Sequence, residues 1–450
     1  MTYQESVRAL MALGRELAAP QQARVQKFGL ENIATLAEAL GNPHRSAPCV
    51  HIAGTNGKGS TAAMLDSILR AAGMRTGLYT SPHLERINER IRIDGEDISD
   101  EAFAATWTRV QSAIESLLAN GKLPAHPTYF ECITAMAFVA FAESDVDFAI
   151  YEVGLGGRLD STNIVQPEVA VITSIDFDHE DFLGHSIEEI ATEKAGIIKP
   201  GVVAVSSVER PEARAVILRR SSMLGVRLVE VDDSWGIEET HVSDGRYRAV
   251  VTSLDSRKKL ELEPPLPGRF QIRNALAAAT AAKMLAERSF AISDEAIEQG
   301  IRTARWPGRL ERLQEHPAVY LDGTHNPSGA RELLRFWEEN FKGKRIVLVY
   351  GAMRDKAVDE IAGLLFPAAG FVIFTEPHQP RAISAPLLAE MTRHLAREST
   401  VVRDPGEALE RAIQMASPQD AVFATGSLYL VGDLRTHWHK RPSSQLNPRR

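Results

Sequence analysis

Residues 49–61 read CVHIAGTNGKGST and join an apolar run of strand length to a glycine-rich turn and a helical segment. Glycines let backbone N–H groups close around phosphate oxygens, and the N-terminus of the following helix adds the positive end of its dipole. Lys58 can pair with the β and γ phosphates of a nucleotide, and a hydroxyl at Ser60 or Thr61 can assist a metal ion or a phosphate. The stretch therefore predicts a strand, a phosphate loop and a helix running to about residue 72.

The match to the phosphate-loop pattern G-x-x-x-x-G-K-[ST] is imperfect. The first glycine would fall at Ile52, and Lys58 is followed by Gly59 instead of a hydroxyl residue. A tight strand-to-helix turn whose glycines serve geometry alone is the alternative interpretation of the loop. A nucleoside-triphosphate switch or motor also stays open on this motif by itself.

Length, charge and cysteine content narrow the class of protein. At 450 residues the chain exceeds one ordinary core, and domains of roughly 100 to 200 residues predict two. A formal net charge of -8 argues against nucleic acid as the main partner, because neutralising phosphates needs a basic surface. The sequence has no apolar run of membrane-span length and no secretion signal, and its only cysteines are Cys49 and Cys132. We therefore expect a cytoplasmic protein without a membrane segment or a disulfide framework.

Apolar runs of strand length alternate with segments of helical period along the whole chain, which predicts an α/β fold with mostly parallel sheets. The residues from about Val226 to Leu262 are less regular and predict antiparallel strands at a sheet edge. In the first part of the chain, the predicted strands are 49–53, 148–153, 169–173 and 202–206.

A second α/β alternation begins after Trp306-Pro307-Gly308, because 291–304 is predicted as a helix and new strands start at Val319. We therefore expect an ATP-binding domain at 1–306, a Rossmann-like domain at 307–440 and a frayed tail at 441–450. The predicted strands of the second domain are AVYLD, RIVLVYG, GFVIFT, TVVRD and DAVFATG.

Acidic and histidine side chains follow several of these strands, at the edge where open α/β sheets bind ligands. Glu152 ends one buried strand, and the loop that contains Asp178 and His179 follows another, as a divalent-cation site would need. A solvated acidic loop is the competing interpretation. In the second domain, Asp322 and His325 follow a strand. Capping of the next helix by Asp322 or Asn326 would account for either of those residues singly but does not explain His325.

Five motifs in order resemble the folylpolyglutamate synthase and dihydrofolate synthase family, which is related to the Mur ligases. They are the phosphate loop, EVGLGGRLD from Glu152, the loop of His179, EKAGI around Lys194 and DGTHNP from Asp322. TSPHL at 80–84, EVGLGGRLDSTN at 152–163 and GSLYLVGD at 426–433 resemble the folate branch in particular. The resemblance spans nearly the whole chain.

The resemblance implies an ATP-dependent ligase that activates a carboxylate as an acyl phosphate and joins it to L-glutamate. It implies two Mg²⁺ ions held with Ser81, Glu152 and His179, a carbamylated lysine at Lys194, and a monomer. It implies catalytic roles for Lys58, His179, Lys194, Asp322 and His325. It implies ATP contacts at Gly54, Thr55, Asn56, Gly57, Lys58, Gly59, Ser60, Asn274, Arg309 and Asp322.

The acceptor pocket follows from the same resemblance, which places the pterin of dihydropteroate or of a reduced folate against Thr128, Phe130, Asp160 and Ser161. Two positions depart from the family pattern, because Ser161 replaces a common alanine and Cys132 a common aromatic residue. The choice between dihydropteroate, reduced folate or both therefore stays open. For Phe130, packing of a helix start against the core is the competing interpretation.

Two other functions remain alternatives. A Mur-type ligase for a different carboxylate, such as a UDP-sugar peptide, would be expected to carry an extra N-terminal domain, and the residues before the first strand are too few for one. A non-catalytic nucleotide-binding protein would need the phosphate loop but neither Asp322 and His325 nor the match at Lys194.

Overall fold

The computed structural model describes residues 1–14, 29–243 and 245–441. Apart from Arg441, the predicted tail lies outside these ranges. The predicted α/β class is confirmed, with two large, mostly parallel sheets and one small antiparallel sheet. Within the described ranges, no helix has the length and apolar character needed to cross a membrane.

The first sheet has eight strands in the order β4-β3-β2-β5-β1-β6-β7-β8. Its central strands read CVHIA, FAIYE and VAVI and are buried throughout, as strands covered by helices on both faces must be. All neighbours pair in parallel except around β3, which pairs antiparallel with β2 and β4. The strands are β1 (Cys49–Ala53), β2 (Thr76–Tyr79), β3 (Ile91–Ile93), β4 (Glu96–Asp97), β5 (Phe148–Glu152), β6 (Val169–Ile172), β7 (Val203–Ser206) and β8 (Arg227–Glu230).

The helices of this part of the chain cover the sheet. The one after β1 follows the phosphate loop and is buried along most of its length, so the loop is anchored in the core. A capping box begins the helix Ile187–Ala195, where Ser186 Oγ accepts a hydrogen bond from Glu189 N. The helices are α1 (Tyr3–Ala12), α2 (Glu31–Ala39), α3 (Lys58–Ala71), α4 (Asp100–Ala119), α5 (Tyr129–Glu143), α6 (Glu180–Leu183), α7 (Ile187–Ala195), α8 (Pro211–Leu224), α9 (Val231–Ser234), α10 (Phe270–Glu287) and α11 (Asp294–Thr303).

The region predicted as antiparallel strands at a sheet edge forms a sheet of its own, so the edge placement was wrong. Strands β9 (Trp235–Ser243), β10 (Arg246–Ser253) and β11 (Lys259–Leu262) pair antiparallel in the order β11-β10-β9. The edge strand of the first sheet is instead β8, which pairs in parallel with β7. The inward faces of β10 and β11 pack against α10 in the core of the first sheet, because each strand presents alternate apolar residues.

The second large sheet has six strands in the order β12-β13-β17-β14-β15-β16. All five strands predicted here are confirmed and pair in parallel, while β12 is an additional antiparallel edge strand. The strands are β12 (Glu311–Glu315), β13 (Ala318–Leu321), β14 (Ile346–Tyr350), β15 (Phe371–Phe374), β16 (Ser399–Val401) and β17 (Ala421–Thr425). The helices are α12 (Pro327–Asn340), α13 (Val358–Leu365), α14 (Ala385–Thr392), α15 (Pro405–Met415) and α16 (Leu428–His439).

Candidate active site

The phosphate loop leaves β1 in a backbone conformation that requires glycine. Gly54 has φ 155° and Gly57 has φ 85°, both in the region that side chains disfavour. A Cβ atom on Gly54 would lie 1.8 Å from Thr173 Oγ1, and one on Gly57 would lie 2.3 Å from Asn274 Oδ1. The glycines therefore permit both the turn and the close approach of neighbouring side chains.

The loop is fastened to the end of β6 by backbone and side-chain hydrogen bonds. Thr55 N donates to Ser174 O at 2.6 Å, and Asn56 N donates to Ser174 Oγ at 3.0 Å. Thr173 Oγ1 donates to Asn56 O at 2.7 Å. The loop is thus held in shape by the protein itself, which reduces the reorganisation needed when phosphate binds.

Two lysines, Lys58, which is half-buried, and Lys194, which is buried, converge on one carbonyl oxygen of the loop. Lys58 Nζ donates to Gly54 O at 2.9 Å and to Thr55 O at 3.1 Å, and Lys194 Nζ donates to Gly54 O at 2.9 Å. Burial lowers the pKa of Lys58, and burial together with the charge of Lys58 lowers the pKa of Lys194 to about 7. The site therefore carries concentrated positive charge that an anion would stabilise.

Glu152, at the end of β5, is a buried carboxylate suited to a cation. Its side chain accepts a hydrogen bond from Ser81 N at 3.1 Å, and burial raises its pKa against the opposing charge of Lys58. Within the described ranges it forms no ion pair, since Lys58 donates to loop carbonyls instead. A bound cation would compensate the desolvated carboxylate, so Glu152 fits the predicted role of metal ligand.

His179, at the start of α6, contacts Lys356 of the second sheet region, a residue without a predicted role. Its Nε2 atom lies 3.3 Å from Lys356 Nζ, and burial, followed by the charge of Lys356, lowers the pKa of His179 to about 3. The imidazole is therefore neutral at physiological pH, the form that binds metals. In the part of the chain that the structure describes, no three His, Cys, Asp or Glu side chains form a ready-made metal cluster.

The predicted residues from the second sheet lie at the end of β13. Asp322 accepts hydrogen bonds from Leu310 N at 2.9 Å and Thr324 N at 3.0 Å. Arg309 is half-buried near Asp322, and desolvation lowers the pKa of Arg309 while the charges of Asp322 and Glu152 oppose this shift. The Asp322 carboxylate thus fixes the backbone on both sides of the strand end.

Asp178 is the point where the ends of the two large sheets meet. Its carboxylate lies 2.8 Å from Lys356 Nζ and 3.5 Å from His325 Nε2, and accepts a hydrogen bond from Asn326 Nδ2 at 3.0 Å. Asn326 also exchanges hydrogen bonds with Asn56 at 2.9 and 3.2 Å. These contacts bring His325 of the second sheet to the phosphate loop of the first.

Of the other residues here, Asp178 was predicted only as part of an acidic loop and Asn326 only as a helix cap, while Lys356 had no predicted role. Asn326 does cap α12, where its Oδ1 accepts a hydrogen bond from Gly329 N at 2.8 Å. Asp178 and Asn326 lie inside selected motifs, and their position next to His179 and His325 was the available signal. Lys356, in the turn after β14, gave no local signal, because its partner is distant in sequence. Tertiary packing alone brings that pair together.

A single cavity of about 520 Å³ opens onto these elements. Its lining includes all the residues predicted to bind ATP or metal, together with Lys194 and His325. The cavity lining also carries aromatic and cationic side chains from β9 and from the first turn of α10 and the residue before it. They include Trp235, Arg269, Phe270 and Arg273.

The four predicted pterin residues lie outside that cavity lining. Thr128 caps α5, where its Oγ1 accepts from Glu131 N at 3.2 Å and donates to Glu131 Oε2 at 2.8 Å. Phe130 is half-buried against Gly154, at the cavity's edge. Ser161 is partly exposed at the start of a short 3₁₀-helix, Ser161–Ile164.

Asp160 is buried and turned toward its own loop. Its Oδ2 accepts from Gly154 N at 3.0 Å and Leu155 N at 2.9 Å, while Oδ1 accepts from Thr162 N at 3.0 Å and Thr162 Oγ1 at 2.5 Å. Burial raises the pKa of Asp160, and these hydrogen bonds oppose the shift. The carboxylate therefore shapes the backbone that leads from Glu152 into the cavity wall.

Comparison with known proteins identifies the class to which this fold and site belong. The Mur ligase middle domain family matches residues 52–282, and the Mur ligase, glutamate ligase domain family matches residues 308–428. The phosphate loop of the first match and the strand-end carboxylate of the second face one cavity. The chain is an ATP-dependent ligase of the Mur type.

Relatives that align over almost the whole chain define the branch. The dihydrofolate synthase/folylpolyglutamate synthase of Bacillus subtilis is 39% identical, over 91% of this chain and 94% of its own. A Mycobacterium tuberculosis folylpolyglutamate synthase solved with ADP is 32% identical with a TM-score of 0.87, over 98% of this chain and 99% of its own. Escherichia coli FolC, solved with DHPP and ADP, is 31% identical with a TM-score of 0.83, over 97% of both chains. The chain belongs to the dihydrofolate synthase/folylpolyglutamate synthase family.

Proposed function

We propose that this chain joins L-glutamate to both dihydropteroate and reduced folates, using ATP to form an acyl phosphate. The observation that carries the proposal is the single cavity that the phosphate loop, Glu152, Asp322 and His325 all face. The name of the Bacillus subtilis relative joins both activities, and the Escherichia coli structure holds DHPP together with ADP, which supports this substrate class. We expect the enzyme to act as a cytoplasmic monomer.

The residues of the loop stabilise charge on the transferred phosphoryl group. Lys58 and the N-terminus of α3 lie beside the loop, where they offset the negative charge of phosphate and of the acyl phosphate. Asn274 and Arg309 line the same cavity and contact the nucleotide in this proposal. The acceptor carboxylate attacks the γ-phosphorus, ADP leaves, and the amine of glutamate then displaces phosphate from the acyl carbon.

The contacts between the ends of the two sheets close the reaction space. Asn326 and His325 reach across to Asn56 and Asp178, and Lys356 does so beside them. Holding the reactants together in a space that excludes water favours attack by the amine over hydrolysis of the acyl phosphate. We retain the division into domains at 1–306 and 307–440 as part of this proposal.

Two Mg²⁺ ions are held in this proposal with Ser81, Glu152 and His179. When bound, Mg²⁺ offsets the charge of the phosphate oxygens. Glu152 supplies a buried carboxylate without an ion-pair partner among the described residues, and His179 supplies a neutral imidazole. Ser81 adds a side chain next to Glu152, since its own N–H already contacts that carboxylate.

Lys194 is the proposed site of carbamylation. Its pKa of about 7 leaves a large fraction of the amine neutral near physiological pH, and only a neutral amine can add to carbon dioxide with loss of a proton. Carbamylation would replace a buried positive charge by a negative one that can bind a metal. Buried beside Gly54, the group lies within the metal and phosphate region.

The acceptor lies against Phe130, Thr128, Asp160 and Ser161 in the proposal, next to the cavity. Phe130 is the member with a free face, because it is half-buried where the loop after Glu152 enters the cavity wall. An aromatic ring at this place can stack on a pterin. Thr128 and Asp160 act by shaping the backbone around it, and Ser161 offers a partly exposed hydroxyl next to Asp160.

The experiment that tests the function measures ADP release with ATP, Mg²⁺ and glutamate, and detects the product by mass. Dihydropteroate, tetrahydrofolate and no acceptor are compared side by side, and the bifunctional proposal requires a glutamyl product from each acceptor. Product from only one acceptor restricts the enzyme to that activity. Absence of product from both, under conditions where ATP binds, would overturn the folate assignment and favour a different carboxylate.

A further inference from the structure

The segment between β2 and the 3₁₀-helix Ile87–Arg90 is organised by a single carboxylate. Glu89 accepts hydrogen bonds from Leu84 N at 2.7 Å, Glu85 N at 2.9 Å and Arg86 N at 2.7 Å. A carboxylate that holds three consecutive amides fixes the backbone between them. In this turn, the backbone of residues 84–86 is therefore held in place against the 3₁₀-helix that carries Glu89.

The outer end of this turn lies directly on α16 of the second sheet. A Cβ atom at Gly432 would lie 2.0 Å from Leu84 O and 2.8 Å from its carbonyl carbon. Leu84 also packs against the buried cluster that covers one face of the second sheet, beside Val431 and Gly308. Gly432 is therefore required for backbone-to-backbone approach between the two parts of the molecule, since no larger residue fits.

An ion pair fastens the same contact. Arg435 Nε lies 2.8 Å from Glu85 Oε1, Thr436 Oγ1 donates to Glu85 Oε2 at 3.2 Å, and Arg435 also pairs with Glu311. The Arg435 side chain is only 13% exposed. Limited solvent access makes this pair less screened than a surface salt bridge.

The inner end of the turn reaches the candidate active site. Ser81, three residues before Leu84, donates its backbone N–H to Glu152 Oε2 at 3.1 Å, and both line the cavity. Ser81 and Leu84 both belong to the motif TSPHL, whereas Gly432 belongs to GSLYLVGD, and the ligation chemistry assigns these two motifs no joint role. The fold brings these two motifs together at one joint, the contact between Leu84 and Gly432.

We propose that Gly432, Arg435 and Glu85 are positioning residues that act through the strap, here defined as residues 81–85. Contact of Leu84 and Glu85 with α16 positions Ser81 beside Glu152. The metal and phosphate site is therefore complete only when the second sheet, through α16, packs against the strap. The inference rests on the proposed function, because that function places Ser81 and Glu152 at the reaction. Displacement of reacting groups by about 1 Å costs roughly 100-fold in rate.

The test compares Gly432→Ala with Gly363→Ala in the complete chain. Gly363 is a matched control, because it lies in helix α13 and a Cβ atom there would meet nothing within 4 Å. Helix propensity alone favours alanine over glycine at both positions. If the contact between Gly432 and Leu84 had no effect on the active site, the two variants would therefore behave alike.

Two readouts are needed. In hydrogen–deuterium exchange without metal or nucleotide, Gly432→Ala should raise exchange across residues 80–90 by about tenfold or more, since each tenfold reports about 1.4 kcal/mol of lost protection. In ligation, kcat should fall about 100-fold, with an increased Mg²⁺ requirement and an ATP KM within about threefold of the parent. Gly363→Ala should change neither readout.

Glu85→Gln covers the case in which Gly432→Ala fails to fold. It removes the charge from the strap while Arg435 keeps Glu311, and should shift both readouts in the same direction by a smaller factor. Parent-like exchange and kcat in the folded variants would overturn the inference. Failure of the parent and Gly363→Ala to ligate either folate acceptor would instead overturn the proposed function, and the exchange measurement would still test the joint.

Discussion

The predicted ATP and metal residues differ from the predicted pterin residues in the direction of their side chains. The first set faces one cavity from several strand ends, and its buried charges are incompletely paired. The second set mostly satisfies its hydrogen bonds within its own elements, as Thr128 and Asp160 do. We therefore expect substitutions in the first set to lower activity at constant stability, and those in the second to lower stability first.

The largest effect should come from Lys58→Ala, which removes the ammonium closest to the phosphate loop. The variant should lose about 10³-fold in kcat, because the charge of the transferred phosphoryl group loses one preorganised partner. Stability should change little, since a half-buried cation is removed along with its hydrogen bonds. Activity assays and thermal unfolding would measure both, with the exposed Lys122→Ala as control. A folded Lys58→Ala enzyme with parent activity contradicts the assignment.

His179→Ala should have the next largest effect. We expect about 100-fold lower kcat and an increased Mg²⁺ requirement, because a neutral imidazole at the metal position is lost. His185→Ala is the matched control, since His185 lies in the same loop region with its side chain 79% exposed. Steady-state rates over a Mg²⁺ series provide the measurement. Equal effects of the two variants would remove His179 from the site.

Replacement of Lys194 tests whether a charged residue that lines the cavity lowers the free energy of unfolding. With a folded pKa of about 7 and an ordinary lysine pKa of 10.5, the unfolded chain holds the extra proton between these values, so stability rises with pH in this window. Lys194→Met should therefore be more stable than the parent at pH 7, by about 2 kcal/mol, and the difference should shrink toward pH 10. Urea unfolding in buffer free of carbon dioxide measures it. A pH-independent difference would contradict the buried, shifted amine.

The predictable part of the molecule is the part encoded locally. Strand, glycine turn, lysine and helix are contiguous between Cys49 and Ala71, so the loop and its sheet could be predicted from the sequence. The strands missed include β2 (TGLY), β3 (IRI) and β12 (ERLQE), in which glycine or polar and charged residues interrupt the apolar pattern, so that no distinctive apolar run remains. Placement of β9 to β11 in a separate sheet depends on packing against α10, which no local pattern encodes.

The residues of the candidate active site likewise divide into those that the local sequence predicts and those that depend on tertiary packing. Motif residues such as Glu152 and Asp322 could be predicted because they follow buried strands, whose carboxyl ends meet in the fold. Lys356 could not, because its contact with Asp178 and His179 joins loops that are distant in sequence. The capping roles of Thr128 and Asp160 were also hidden, since the same residue types serve both substrate binding and backbone hydrogen bonding.

Asp160→Asn addresses the set that shapes the backbone. The side-chain amide nitrogen must then face either the N–H group of Thr162 or those of Gly154 and Leu155. In either orientation, a buried hydrogen-bond donor faces another donor and has lost its acceptor. We expect a loss of roughly 1.5 kcal/mol in the free energy of unfolding, together with an increased KM for dihydropteroate. Chemical unfolding and acceptor kinetics would measure the two effects. An increased KM for dihydropteroate without a loss of stability would show that Asp160 contacts the substrate. The contrast between the cavity residues and the predicted pterin residues would then not hold.

Thr128→Ala should have the smallest effect and offers the sharpest separation of the two roles. Thr128 and Ser99 both cap helices, through hydrogen bonds from Glu131 N at 3.2 Å and Ala102 N at 3.1 Å. Loss of such a cap costs about 1 kcal/mol, so Thr128→Ala and Ser99→Ala should destabilise the protein by similar amounts. If Thr128 only caps α5, the acceptor KM of the two variants should agree. An acceptor KM raised in Thr128→Ala alone would place the hydroxyl against the pterin, because the matched variant already accounts for the lost cap.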